Sequence, residues 1–166
     1  NMLSLLQNIF SFIVLILLQV LVLNNVQFLG FLNPYIYILF ILSLPVKFPR
    51  WITLILGFVL GLIIDVFSNT IGTHAFATVL IAFFRTGIIK LFTSIEEGSN
   101  PIPSFHSFGV GAYIKYVVFM VMLHHTSLFL LEAFSFQLNW MTLIRILLSS
   151  FVSILLILGI RSFNKR

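Results

Sequence analysis

Cysteine is absent from this chain of 166 residues, and charged residues are scarce. Without cysteine the protein has no disulfide, no Cys-ligated zinc or iron–sulfur cluster, and no thiol catalysis. Lys, Arg, Asp and Glu together make up only 8% of the residues, and four residues are acidic. A soluble domain uses about 25% charged residues to cover its surface. The composition therefore indicates a protein whose surroundings are mostly lipid.

Long apolar runs take up most of the sequence, which is 60% hydrophobic with a mean hydropathy of +1.17. Lipid cannot satisfy an open backbone, so each run of about 20 residues is expected to be a membrane-spanning helix. We predict an all-α polytopic membrane protein, a compact bundle of six transmembrane helices in a single integral membrane domain, residues 1–166. The predicted spans are 3–23, 28–46, 51–67, 74–92, 109–131 and 138–160.

The first two runs differ from a plain membrane-spanning helix or could be mistaken for another kind of segment. Pro34 lies inside the second run, where it should begin or kink the helix, so this span is expected to be short and irregular. The first run lacks a basic n-region and an A-x-A-like site. We therefore expect a spanning helix there and not a cleavable signal peptide.

The basic residues predict the orientation. With six spans, the connections on one side carry six Lys and Arg residues and those on the other side carry none. Because positively charged connections stay in the cytoplasm, both termini are predicted to be cytoplasmic. The six residues are Lys47, Arg50, Lys90, Arg161, Lys165 and Arg166.

A few polar residues lie within the predicted spans. A charge at the centre of a membrane helix costs about 2.5–3.5 kcal/mol on insertion scales, so such groups usually have a partner. Arg145 could pair with Asp65 or Glu132, could extend to the headgroups, or could serve a ligand or partner site. His74 is a further polar candidate. Arg85 and Lys115 lie nearer the cytoplasmic side and are expected to extend to the interface.

No arrangement of residues predicts catalysis, a metal or a cofactor. His124 and His125 are adjacent, so their side chains point about 100° apart on a helix and share one ion poorly. They are expected to bond across the bundle instead. Glu96 and Glu97 lie in a polar, Pro-containing connection that reads as a solvated loop. Basic residues are too sparse for a nucleic-acid surface.

A ridge of small residues follows one face of the third span. Thr53, Gly57, Gly61 and Asp65 are spaced four apart, and G-x-x-x-G allows close helix approach. The fourth span offers a matching ridge, and the short connection between the spans predicts that they are antiparallel neighbours. Intramolecular packing and binding of a partner are both possible roles. The matching ridge consists of His74, Thr78, Ala82 and Thr86.

The stretch "GFVLGLIIDVFSNTIGTHAFATVLIAFFR", residues 57–85, resembles the signature region of the rod shape-determining protein MreD family. The preceding "NPYIYILFILSLPVKFPRW" also fits, and together the match covers about 50 residues, outside which no further motif is recognised. The residues that carry the resemblance are Gly57, Gly61, Leu62, Asp65, Gly72, His74, Ala75 and Arg85.

The resemblance implies a non-catalytic component of the bacterial cell-elongation complex in the inner membrane. The implied partners are the bitopic protein MreC, the MreB filament and the RodA–PBP2 peptidoglycan synthase, together with membrane lipid. The fold implied is similar to the S-components of energy-coupling-factor transporters. No cofactor is implied, and a small-molecule ligand is not expected.

That similarity supplies the main alternative, a vitamin-binding S-component. S-components typically carry an A-x-x-x-A motif in the first span, whereas residues 3–23 contain no alanine. The connection 24–33 is also short for a ligand cap. An ion or proton transporter that uses Asp65 and Arg145 is a third, weaker alternative.

Overall fold

The computed structural model describes residues 2–26, 32–133 and 139–164. These residues are mostly helical, which confirms the predicted all-α class. The helices are α1 (Met2–Leu21), α2 (Leu39–Leu42), α3 (Arg50–Ser68), α4 (Thr73–Phe92), α5 (Phe105–Phe108), α6 (Val110–Glu132) and α7 (Trp140–Phe163), with a short 3-10 turn at Leu23–Asn25.

Within these ranges, five helices are long and apolar enough to cross a membrane. They are α1, which continues through the 3-10 turn, and α3, α4, α6 and α7. Their outer faces expose large apolar side chains such as Phe10, Phe58 and Phe151. Such faces suit lipid, and the chain is a helical, multi-pass membrane protein.

The second predicted span is not a long helix in its described part. Residues 33–36 have no regular secondary structure, and of residues 32–46 only Leu39–Leu42 forms an α-helix. Leu32, Tyr35–Leu42 and Leu44 are all buried, so we call residues 32–44 the buried segment. The described residues thus contain five long helices and this irregular segment, and six long spans are not confirmed. The segment can do without a long helix because side chains of the surrounding helices satisfy its backbone.

The two ends of the bundle can be told apart by their contacts. At one end, the Asn24 side chain donates to Ser68 Oγ over 3.0 Å, which joins the end of α1 to the end of α3. At the other end, the Lys47 backbone N–H donates to Asn100 over 2.7 Å, and Arg161 donates to the carbonyl of Pro103 over 2.8 Å. We call these the Asn24 end and the Lys47 end.

The buried segment passes from one end of the bundle to the other. Near its start, the backbone N–H of Asn33 donates to Ser149 Oγ over 3.3 Å, and Asn33 lines a cleft with Asn24. Just after its end, the N–H of Val46 donates to the carbonyl of Pro101 over 3.0 Å. Irregular backbone is tolerated at membrane depth only where protein covers it, and here the long helices do so.

Side chains of the surrounding helices satisfy the backbone of the buried segment. Gln19 of α1 bridges it, donating to the carbonyl of Pro34 over 3.0 Å and accepting from the N–H of Ile36 over 2.9 Å. Three further helices contribute, because Ser153 accepts from Tyr35 N–H, Tyr116 donates to the carbonyl of Leu42, and Arg85 donates to the carbonyl of Leu44. Buried backbone groups must be paired, which gives these polar residues a structural role.

Gln19→Leu is expected to lower the free energy of unfolding by about 2 kcal/mol or more. The substitution leaves the Pro34 carbonyl and the Ile36 N–H unpaired, and each orphaned buried group costs about 1–3 kcal/mol. Denaturation in detergent micelles measures the change. Gln7→Leu is the matched control, since Gln7 lies on the same helix and is exposed. Equal stability of the two variants would contradict the bridging role.

Helices α3 and α4 are antiparallel neighbours, as the sequence predicts. Gly57 faces Thr78 and Ala82, while Gly61 faces the backbone of His74 and Ala75, so increasing numbers on α3 meet decreasing numbers on α4. A Cβ on Gly61 would lie 2.5 Å from the Cα of Ala75. Helix α4 therefore covers the face of α3 that carries Gly57 and Gly61.

Candidate functional site

The carboxylate of Asp65 caps the first turn of α4. Its Oδ1 accepts from the backbone N–H of His74 over 3.0 Å, and its Oδ2 accepts from that of Ala75 over 2.9 Å. These N–H groups have no partner inside their own helix, and the helix N-terminus favours negative charge. The Thr70 hydroxyl also donates to Asp65. The buried acid of α3 is thus a cap supplied by one helix to the next.

A tight turn between the two helices makes this cap possible. Asn69, directly after α3, is in the left-handed region with φ 55°, and Gly72, directly before α4, has φ 75°. Asparagine and glycine adopt such angles more readily than other residues. The turn returns the chain so that the N-terminus of α4 meets Asp65 from the last turn of α3.

Among the described residues, only one of the two ring nitrogens of His74 has a hydrogen-bond partner. Its Nδ1 lies 2.9 Å from Asp65 Oδ1, so Nδ1 carries a proton and donates it to the carboxylate. The side chain is 1% exposed, and Nε2 has no hydrogen-bond partner among the described residues. When the ring is neutral, Nε2 is a free acceptor.

A chain of hydrogen bonds continues from His74 into the bundle. Thr78 donates to the His74 carbonyl over 2.7 Å, and the Tyr37 hydroxyl lies 3.2 Å from Thr78 Oγ1 and 2.6 Å from His124 Nε2. His124 and His125 then meet through their Nδ1 atoms at 3.2 Å. This polar chain joins α4, the buried segment and α6.

The polar chain is satisfied when both of its histidines on α6 are neutral. Val121 carbonyl accepts from His125 Nδ1 over 3.0 Å, so that nitrogen carries the proton. His125 Nε2 then accepts from the Ser153 hydroxyl. The proton on His125 Nδ1 also points to His124 Nδ1, which accepts it. His124 therefore carries its own proton on Nε2 and donates it to the Tyr37 hydroxyl. The two histidines make the cross-bundle bonds that the sequence predicts. These hydrogen bonds hold α6 against the buried segment and α7.

Arg145 lies beside Glu132, and the two side chains approach to 3.7 Å. The guanidinium also stacks over the ring of Phe129, 4.6 Å from its centroid. Asp65, the other acid considered for Arg145, is used by α4 and His74. The Arg145 and Glu132 side chains are 35% and 21% exposed, so this is a partly solvated pair at the Asn24 end.

A polar cleft of about 300 Å³ opens at the Asn24 end. It lies between the end of α1, the start of the buried segment, the turn after α3 and the end of α6. Among the residues that line it are Asn24, Asn33, Tyr35, Thr70, His74 and Glu132.

The structure brings together only part of the predicted set. Asp65 and His74 form one unit, Thr78 joins it through the His74 carbonyl, and Ala82 packs against Gly57. Arg145 and Glu132 form a separate pair.

Sequence reasoning missed Gln19, Tyr37 and Ser153, and it placed Arg85 at the interface although that residue is 2% exposed. Lone polar residues inside apolar runs were the available signal. Lys115, by contrast, is exposed.

Within residues 2–26, 32–133 and 139–164, no three His, Asp or Glu residues lie close enough together to hold a metal ion. Comparisons with protein-family models, curated proteins and solved structures found no match to this chain.

Proposed function

We propose that this chain is a non-catalytic membrane component of the bacterial cell-elongation complex. In this proposal it binds an MreC-like bitopic protein and, through it, is linked to MreB and RodA–PBP2. The observation that carries the proposal is the segment 57–85, whose sequence resembles the MreD signature. Four of the residues that carry the resemblance have a structural role: Gly61 allows helix contact, Asp65 caps α4, Gly72 forms the turn, and Arg85 donates to the backbone of the buried segment.

The polar interior supports a binding role over an enzymatic one. The Tyr37, His124 and His125 side chains bond to one another and to Thr78 and Ser153. A nucleophile or general base would need to reach a substrate, whereas these groups are fully buried.

We place the protein in the bacterial inner membrane with the Lys47 end in the cytoplasm. The support is the grouping of Lys47, Arg50, Lys90 and Arg161 around the loops of that end, in agreement with the positive-inside rule. Both termini are then cytoplasmic. Since α4 covers the glycine ridge, we place the helix of the MreC-like partner against another face of the bundle.

Co-purification tests this proposal. The tagged chain is expressed with an MreC-like bitopic protein, extracted in mild detergent and isolated through its tag. We expect the partner to be retained at a fixed ratio, and an unrelated bitopic protein of similar length to be lost. A folded, tagged chain that retains no MreC-like protein would count against the proposal.

The cleft at the Asn24 end is the observation that favours the alternative function, a vitamin-binding S-component, because a small ligand could enter it. Mass spectrometry of the purified protein separates the two functions. The proposed function predicts that no vitamin co-purifies. A vitamin present at one per chain would favour the S-component and overturn the scaffold role.

A further inference from the structure

One residue that lines the cleft at the Asn24 end has an acceptor that no described residue uses. His74 lines this cleft, and its Nε2 is buried without a partner in the described part of the chain. Asp65 fixes the proton on the opposite ring nitrogen, so the lone pair of Nε2 is available. A buried polar atom without a partner costs about 1–3 kcal/mol, and a ligand that donates a hydrogen bond would remove this cost.

The charges around the cleft favour a cation. Glu132 is among the residues that line it, and the Asp65 carboxylate lies 2.9 Å from the Nδ1 of the lining residue His74. One guanidinium, that of Arg145, opposes these two carboxylates, and it lies beside Glu132 at 3.7 Å. The cleft therefore carries a net negative charge with one cation at its margin, and His74, whose Nε2 is an unpaired acceptor, is among the residues that line it.

We propose that this cleft binds a primary ammonium group, supplied by the headgroup of an aminophospholipid. The ammonium would donate to His74 Nε2 and be attracted by Glu132, while Arg145 attracts the phosphate of the same headgroup. The cleft lies at the ends of spanning helices, which is the level of lipid headgroups. A soluble amine offers the same ammonium chemistry, and the experiment separates the two sources. This inference does not depend on the proposed scaffold function.

Native mass spectrometry of the full chain provides the first test, with phosphatidylethanolamine and phosphatidylcholine added in equal amounts. The two headgroups have the same charge, but choline has no N–H to donate. We expect retention of phosphatidylethanolamine about tenfold above phosphatidylcholine, the difference that one charge-assisted hydrogen bond supplies. Glu132→Gln should reduce this preference. Glu97→Gln, an exposed acid outside this cleft, should leave the preference unchanged.

The nitrogen NMR signals of ¹⁵N-histidine provide the second test and need no substitution. In phosphatidylcholine nanodiscs, replacing the lipid with phosphatidylethanolamine should shift the Nε2 signal of His74, and exposed His106 is the internal control. A shift produced by free ethanolamine alone would support the ammonium site and assign it to a soluble amine. Equal retention of both lipids, or a His74 signal unmoved by either amine, would overturn the inference.

Discussion

Gly61→Ala is expected to lower the free energy of unfolding by about 3 kcal/mol, because overpacking of a tight core typically costs about 1–3 kcal/mol. The added Cβ would lie 2.5 Å from Ala75 Cα, 2.6 Å from the His74 carbonyl oxygen and 2.7 Å from Ala75 N. All three atoms are backbone, so no side-chain rotation relieves the contact, and α3 must move away from α4. Denaturant titration in detergent, followed by circular dichroism, measures the loss.

Gly87→Ala is the matched control for this prediction. Gly87 lies within α4, and a Cβ there would meet nothing within 4 Å. Alanine is a better helix former than glycine by about 1 kcal/mol, so this variant should be as stable as the parent or more so. Gly57→Ala should lie between them, since its nearest contacts are at 3.2 Å. If Gly61→Ala were as stable as Gly87→Ala, the close approach of α3 and α4 at Gly61 would be disproved.

Asp65→Ala is expected to lower the free energy of unfolding by about 3 kcal/mol or more, because each buried polar group left without a partner costs about 1–3 kcal/mol. The change orphans the N–H groups of His74 and Ala75 and removes the partner of His74 Nδ1. Hydrogen–deuterium exchange gives a local readout, because protection should fall first at the first turn of α4.

Two further variants show whether the effect comes from capping. Asp65→Asn keeps one acceptor oxygen but presents N–H donors where Asp65 only accepts, so an intermediate loss is expected. Glu132→Ala removes another acid that is partly solvated and paired at 3.7 Å, and exposed pairs contribute about 1 kcal/mol or less. A loss for Asp65→Ala no greater than that for Glu132→Ala would refute the capping role.

The α3–α4 hairpin is the part of the fold that the sequence predicts best. Both helices follow from apolar runs, because helices satisfy their own backbone in lipid. Their adjacency follows from the short connection, and the close contact follows from Gly57 and Gly61. Each of these inferences depends on residues near one another in the chain.

The buried segment shows where such reasoning stops. Hydropathy predicts that residues 28–46 avoid water, but it does not distinguish a lipid-facing helix from an irregular segment that is covered by protein. Pro34 indicated irregularity. The rest depends on Gln19, Tyr116 and Ser153, which come from three other helices and satisfy its backbone.

The partners of the charged residues were decided in the same way. The positions of Asp65 and Glu132 along the predicted spans placed both acids at a membrane depth similar to that of Arg145. Only the tertiary structure separates them, because the turn 69–72 gives Asp65 to the N-terminus of α4 while Arg145 packs against Glu132 and Phe129.

By itself, the sequence determined the helical membrane class, the long helices α1, α3, α4, α6 and α7, and the pairing of α3 with α4, because composition and local spacing control these features. The tertiary structure alone decided the path of the buried segment, the cap at Asp65 and the cleft beside His74. Each of these requires polar groups from distant parts of the chain to meet, and a buried polar group is stable only where such a partner is present.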